Sequence, residues 1–401
     1  MPKNFYRKVL KNGMTILFEK RKLPVVSVAF AVRYGGINES AGERGIAHFI
    51  EHLLYKGTKN RTHKQISEEI EKNGGVMNGF TEETITAFWC KMPSDKLKIA
   101  LDVIGDMVRN PLFDEKEMNK ERKVIFEEMK IFHDTPRHYV FEKIQTMLYK
   151  APLGIPLIGT QETLSSVDRK KMVEKFNSIY NPKNIILCVV GDADFGEIVK
   201  FVEKNFRGQK KGFSAQKIPV IKHNKIRIED RKGIDQANLV LAFHSPLSKD
   251  KKVYAAKVLM NLMANGLSSR LFHEIREKRN MAYSIAGDVA CNRHFSYCYV
   301  YAGVLRENVE KVKRIILEEF EKVSKKLTEK ELLQSKEQLI GNYKIAMESS
   351  DGQMVQLLLS EVDENVGEYY EFEKKIRAVK LSDVKKLAKI KKYSFFALVP
   401  A

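Results

Sequence analysis

Apolar residues recur along the chain with two periods. Near-continuous or alternating apolar runs at 14–20, 25–34, 84–91 and 184–191 predict strands, and four more follow at 225–230, 237–243, 296–304 and 394–399. Helical spacing predicts a helix over 47–55, a long helical region over 96–132, a second helix over 254–265 and a second long region over 308–348. The order of elements in the first half is therefore repeated in the second. Two local echoes argue for duplication. Pro111-Leu112-Phe113-Asp114-Glu115-Lys116-Glu117 is answered by Lys326-Leu327-Thr328-Glu329-Lys330-Glu331, a cap candidate followed by first-turn acids in each case. Leu164-Ser165-Ser166-Val167 is answered by Leu381-Ser382-Asp383-Val384 ahead of the closing helices. The stretch 208–224 has Gly, Pro and Lys without sustained periodicity and reads as a linker. The expected architecture is α+β: two domains of one fold, 1–207 and 225–401, joined by 208–224.

Composition narrows the classes. At 401 residues, 43% apolar and 30% charged, the chain can bury two substantial cores. Its 70 basic and 51 acidic residues leave a net charge of +19, which invites nucleic acid or a membrane surface as partner. The basic blocks, such as Lys20-Arg21-Lys22, are short and bounded by acids or apolar strands, so a solvated Lys/Glu-rich surface accounts for them better. No zinc-finger spacing, P-loop or recognition-helix signature supports a nucleic-acid binder. Cys90, Cys188, Cys291 and Cys298 form no CxxC pair, which argues against a disulfide framework or zinc ribbon. No run approaches the ~18 apolar residues of a membrane helix, and no apolar leader follows Met1, so no membrane is expected and the expected compartment is the cytoplasm.

The sharpest chemical signal is His48-Phe49-Ile50-Glu51-His52. On a helix, His48 and His52 stand one turn apart on one face, and both imidazoles can reach a point ~2.0–2.1 Å away, the Zn–N distance. Glu51 lies on the same side, within reach of a water at such a metal without being a ligand. Catalytic zinc takes three protein ligands, so a carboxylate must come from elsewhere. The segment Glu121 to Met129 offers it. Glu128 is read as third ligand, Glu121 as its neighbour on the same face, which also carries Val124 and Ile125, and Glu127 as solvent-facing.

At this point a family becomes recognisable. His48 to Thr58 resembles the inverted zinc motif of the M16 metallopeptidases, the family of insulin-degrading enzyme, pitrilysin and mitochondrial processing peptidase, and Glu121 to Glu128 resembles its downstream E-R-x-V-I-x-x-E block. Asn73 to Thr81, Gly159 to Glu162, Tyr180 to Asn184 and Val190 to Asp192 are similar to it as well. The resemblance implies one Zn2+ per chain on His48, His52 and Glu128, supported by Glu121, with Glu51 as general base and later acid. It implies mainly antiparallel sheets packed with helices. Ser268 to Phe272 and Arg276 to Tyr283 resemble the family's substrate-contacting block, which implies that Arg276 and Tyr283 hold the peptide and stabilise the oxyanion; Asn280 stands where the family more often has Gly. Asn78, Phe80 and Thr81 match the edge strand to which an extended peptide adds, with an ordinary internal strand as the other reading. The length resembles the half-length branch, which implies a chamber built from two subunits: a homodimer, or a heterodimer with a related chain. The expectation is a zinc endopeptidase acting on peptides or small unfolded polypeptides; the alternative is a non-catalytic scaffold subunit of the same fold.

Overall fold

The structure, a computed structural model, describes residues 2–207 and 220–401. The linker expected at 208–224 lies outside them except for 220–224. The described residues form two compact units: 2–129 with 156–207 and 346–370, and 130–155 with 220–345 and 371–401. The first contains a six-stranded sheet of β1 (Phe5–Val9), β2 (Thr15–Lys20), β3 (Val25–Val32), β4 (Val76–Thr81), β5 (Thr86–Pro93) and β6 (Ile185–Gly191). The second contains five strands, β7 (Ile226–Arg231), β8 (Ala237–His244), β9 (Ala282–Cys291), β10 (Ser296–Val304) and β11 (Ser394–Pro400).

The strand orders show the duplication directly. The first sheet runs β1-β2-β6-β3-β5-β4 and the second β7-β11-β8-β10-β9, so that beyond β1 the two orders correspond strand for strand. In each sheet one pair is parallel, β2 with β6 and β7 with β11, and every other pair is antiparallel. The strand β1 was not expected from the sequence, because Phe5-Tyr6-Arg7-Lys8-Val9 carries charge at its centre and only Phe5 is buried.

Helices α1 (Ile46–Leu54), α2 (His63–Glu71), α3 (Leu97–Arg109), α4 (Glu115–Asp134), α5 (Pro136–Leu148), α6 (Gln161–Ser165), α7 (Arg169–Ile179) and α8 (Phe195–Asn205) belong to the first half of the chain. Those of the second half are α9 (Val253–Ala264), α10 (Val309–Lys326), α11 (Glu329–Ala346), α12 (Ser350–Val362), α13 (Val366–Arg377) and α14 (Leu381–Leu387). The single helical regions expected at 96–132 and 308–348 are each two helices. Asn110-Pro111 stops the first, since a residue before proline is pushed out of the helical region. The caps read from sequence restart both. Asp114 Oδ1 accepts from the amides of Lys116 and Glu117, and Thr328 exchanges hydrogen bonds with Glu331 in a capping box.

Each sheet borrows a helix from the other half of the sequence. In the first unit β6 is buried along its whole length, as a strand covered on both faces must be. Leu187 and Val189 face the cluster that contains α1 and α3, whereas Ile186, Cys188 and Val190 face Met354, Leu357 and Leu358 of α12. In the second unit α5 lies on β8 and β11, with Phe141 against Tyr299 and Tyr301 and Tyr139 against Phe396.

Docking of α12 carries a pH-dependent tie. Its buried Glu361 accepts two hydrogen bonds from Arg7 and one from Arg33, all 2.8 Å. Burial pushes this carboxyl up, but Arg7 and Arg33 outweigh it and hold it below the usual carboxylate range. A lowered acid stabilises the fold above its unfolded value, ~4.3, and that contribution disappears as pH falls through the folded value. Glu361→Gln should therefore cost ~1–2 kcal/mol at pH 7, where it takes the charged acceptor from the exposed Arg7 and half-buried Arg33, and less at pH 3.5. Urea unfolding at both pH values checks this; an equal loss at both would show that the charge is not what ties α12 down.

Among the described residues no helix is long and apolar enough to cross a membrane.

Candidate metal centre

The helix that carries the two histidines starts at a fixed point. Gly45 has φ 96, and a Cβ there would lie 2.5 Å from the carbonyl oxygen of Ile158, so both conformation and space require glycine. The amides of Gly45 and Ala47 donate to the fully buried carboxylate of Glu39, at 3.0 and 2.7 Å. Arg44, also fully buried, lies 3.8 Å from Glu39 and donates to both oxygens of Glu83. Burial pushes Glu39 up to about 7 even beside Arg44. From this anchor α1 buries Ile46, Ala47, Phe49, Ile50, Leu53 and Leu54, and turns His48, Glu51 and His52 toward α4 and β4.

Helix α4 supplies the carboxylates. Met118, Glu121 and Ile125 are buried and Glu128 is half-buried on the same stripe, whereas Glu127 is exposed as expected. Val124, expected on the Glu128 face, is exposed instead. It lies four residues from Glu128, and the buried stripe runs through Ile125 rather than along the 124–128 row.

His48, His52 and Glu128 offer three ligand atoms within 4.8 Å of one another, and no other such group occurs among the described residues. Glu128 Oε2 is 3.5 Å from His52 Nε2 and 3.8 Å from His48 Nε2. Donors on one tetrahedral ion with bonds of ~2.0–2.2 Å stand ~3.4 Å apart, so the group fits a divalent cation of the zinc type with little adjustment.

The surroundings fit such an ion as well. His52 Nδ1 faces Glu121 Oε2 at 3.2 Å, and Lys56 Nζ holds the other Glu121 oxygen at 2.8 Å. A carboxylate behind a histidine fixes the tautomer that leaves Nε2 free to ligate. Burial, reinforced by the neighbouring His52, keeps His48 below its ordinary pKa and hence neutral at pH 7, the ligating form. Its Nδ1 is buried and has no hydrogen-bond partner among the described residues. For His52, burial is outweighed by Glu128 and Glu121, which raise it. Burial raises Glu51, against the pull of Thr81, whose hydroxyl donates to Glu51 Oε2 at 2.6 Å.

Thus the fold brings together His48, His52, Glu128, Glu51, Glu121 and Thr81. Asn78, Phe80 and Thr81 lie on β4, one of the two edge strands of its sheet. Their side chains point differently. Asn78 is exposed and accepts from the Gly79 amide, Phe80 packs toward the α12 cluster, and Thr81 turns to Glu51. Arg276 and Tyr283 belong to the second unit. Arg276 is exposed on a wide helical turn, Phe272–Glu277, with its guanidinium over the Phe272 ring, and Tyr283 is exposed on the edge strand β9. Between them Asn280 has φ 51, the left-handed conformation that asparagine tolerates.

Sequence reasoning missed Lys56, the Glu39–Arg44–Glu83 anchor and the hydroxyl of Thr81 on Glu51. Only Lys56 left a signal, one helical turn beyond His52. Among the described residues the second unit has no counterpart centre: α9 follows β8 as α1 follows β3, but contains neither histidine nor carboxylate. Its Asn261 donates instead to Ser335 of α11.

Comparison with known proteins agrees with this asymmetry. Residues 15–161 match the family model described as insulinase, peptidase family M16, and residues 166–339 the one described as peptidase M16 inactive domain. An uncharacterized zinc protease of Rickettsia felis is 32% identical over 351 residues, 87% of this chain and 85% of that protein. Another, from Bacillus subtilis, is 29% identical over 87% of this chain and 86% of its own length. Among solved structures, a protease from Helicobacter pylori superimposes with a TM-score of 0.91 at 23% identity, over 99% of both chains. A peptidase M16 inactive domain from Pseudomonas fluorescens gives 0.89 at 17%, over 99% and 98%. The duplicated sheets and the likeness to a zinc protease across most of the chain lead to one assignment: the chain belongs to the M16 family of peptidases.

Proposed function

We propose that the chain is a zinc-dependent endopeptidase, with one zinc ion on His48, His52 and Glu128 and peptides or small unfolded polypeptides as substrate. The observation that carries this is the convergence of those three ligands with a half-buried Glu51 whose carboxylate is already held by Thr81. Bound there, zinc supplies Lewis acidity toward the scissile carbonyl and toward water. Glu51 takes the proton from the attacking water and returns it to the leaving amine nitrogen. Glu121 and Lys56 keep His52 oriented. Tyr283 and Arg276 donate to the developing oxyanion, a contribution whose loss typically costs ~10²–10³ in rate. An extended peptide pairs with the free edge of β4, so recognition is mainly through the main chain and tolerant of sequence. In this reading two identical chains enclose the substrate, in the cytoplasm, with Arg276 and Tyr283 of one subunit completing the centre of the other. The resemblance to the half-length branch supports that assembly.

The description of residues 166–339 as an inactive domain favours a second reading, a scaffold subunit. It applies to the half that holds no ligand group, whereas the ligands lie in the half that matches the insulinase model. Mass-spectrometric mapping of products from a mixed peptide library separates the two. Internal cleavage that stops with chelator and returns with zinc supports the peptidase; stoichiometric zinc with no product from any peptide identifies the scaffold.

A further inference from the structure

The edge strand β4 presents two faces. Phe80 packs toward the α12 cluster, and the alternate positions Met77, Gly79 and Thr81 turn to α1. On that face Gly79 leaves no room for a side chain. A Cβ there would meet Tyr55 Oη at 2.7 Å and Glu51 Oε1 at 3.0 Å. Two residues on, Thr81 donates to the other oxygen, Glu51 Oε2, at 2.6 Å. One oxygen of the carboxylate thus lies against the bare backbone of β4, and the second is held by the last side chain of the same strand. Thr81 is itself fixed. It pairs with Thr86 of β5, whose hydroxyl donates to the carbonyl oxygen of Tyr34, and its branched side chain has few rotamers.

A glutamate has three rotatable bonds, and fixing them costs conformational entropy. A base that must meet a water and then an amine nitrogen needs one orientation, and a 1 Å misplacement can cost ~10² in rate. We propose that Thr81 is a positioning residue for Glu51 and that it couples this side chain to the strand edge on which an extended peptide pairs. The inference rests on the reading of Glu51 as the base. Pairing of a peptide along β4 orders the strand, and Thr81 passes that order to the carboxylate. The hydroxyl bonds Glu51 and none of the three ligand side chains, so its loss acts on turnover and not on binding.

The test compares Thr81→Val, which keeps shape and loses the hydroxyl, with Thr81→Ser, which keeps the hydroxyl, alongside Glu51→Gln. In the zinc-loaded chain Thr81→Val should lower kcat about ten- to hundredfold with KM unchanged, and Thr81→Ser should restore most of it. Zinc affinity, measured against a competing chelator, should be the same in all. A second readout needs no turnover. In zinc-free protein labelled with carboxyl-13C glutamate, the resonance absent from Glu51→Gln should shift in Thr81→Val and stay near its place in Thr81→Ser. If Thr81→Val does not fold, Thr81→Ala set against Thr81→Ser gives the same comparison. Equal kcat in the Ser variant and the variant lacking a hydroxyl overturns the proposal, as does a loss that appears in KM alone. Full activity in Glu51→Gln would instead overturn the underlying assignment of the base.

Discussion

Glu51→Gln is expected to retain bound zinc and to hydrolyse peptides ~10²–10⁴-fold more slowly than the wild type. The amide has the shape of the carboxylate and still accepts from the Thr81 hydroxyl, so the packing of α1 against β4 is kept. It cannot take a proton from water. The three proposed ligands are untouched, because His48, His52 and Glu128 converge without Glu51. His52→Ala provides the contrast: it removes a proposed ligand and the partner of Glu121, and activity and metal should go together. Metal analysis and single-turnover rates on one peptide separate the two variants. If Glu51→Gln keeps more than about a tenth of the wild-type rate, another group takes the proton.

Mixing two inactive variants should restore activity. In a twofold dimer whose centres are completed across the interface, a Glu51→Gln chain lends its intact Tyr283 to a Tyr283→Phe chain, and one of the two centres is whole. Equal mixing with free exchange then yields about a quarter of wild-type activity, because half of the dimers are mixed and each has one working centre. Each variant alone should be lower by ~10² or more. No recovery after exchange, verified by differently tagged chains, would place Tyr283 and the metal ligands of one chain in the same centre.

Much of this centre was legible because its members lie close in sequence on regular helices. His48, Glu51 and His52 share one turn and a half, and helical periodicity alone puts them on one side. Glu121 and Glu128 are two turns apart on another helix, and burial then separates them from Glu127. Eight of the eleven described strands were legible as apolar or alternating runs, whereas β1, β4 and β9, with few buried positions, left no such run. What was not legible depends on contacts across sequence. Thr81 meets Glu51 only because β4 turns one face to α1. The buried Arg44 looks like a surface residue in the sequence, since nothing there shows that Glu39 and Glu83 close around it. Val124 was placed on the wrong side because a helix stripe drifts, and four residues are slightly more than one turn.

The helices that each sheet takes from the other half bear on ancestry. A lone first half would leave Ile186, Cys188 and Val190 of β6 without Met354, Leu357 and Leu358 over them, and a lone second half would leave Tyr299 and Tyr301 without Phe141. Two copies that lent each other this helix would have solved the problem for both before any gene fusion. In that light the present chain has the topology of two halves that exchange a helix reciprocally, and among the described residues only one of them holds the ligand group.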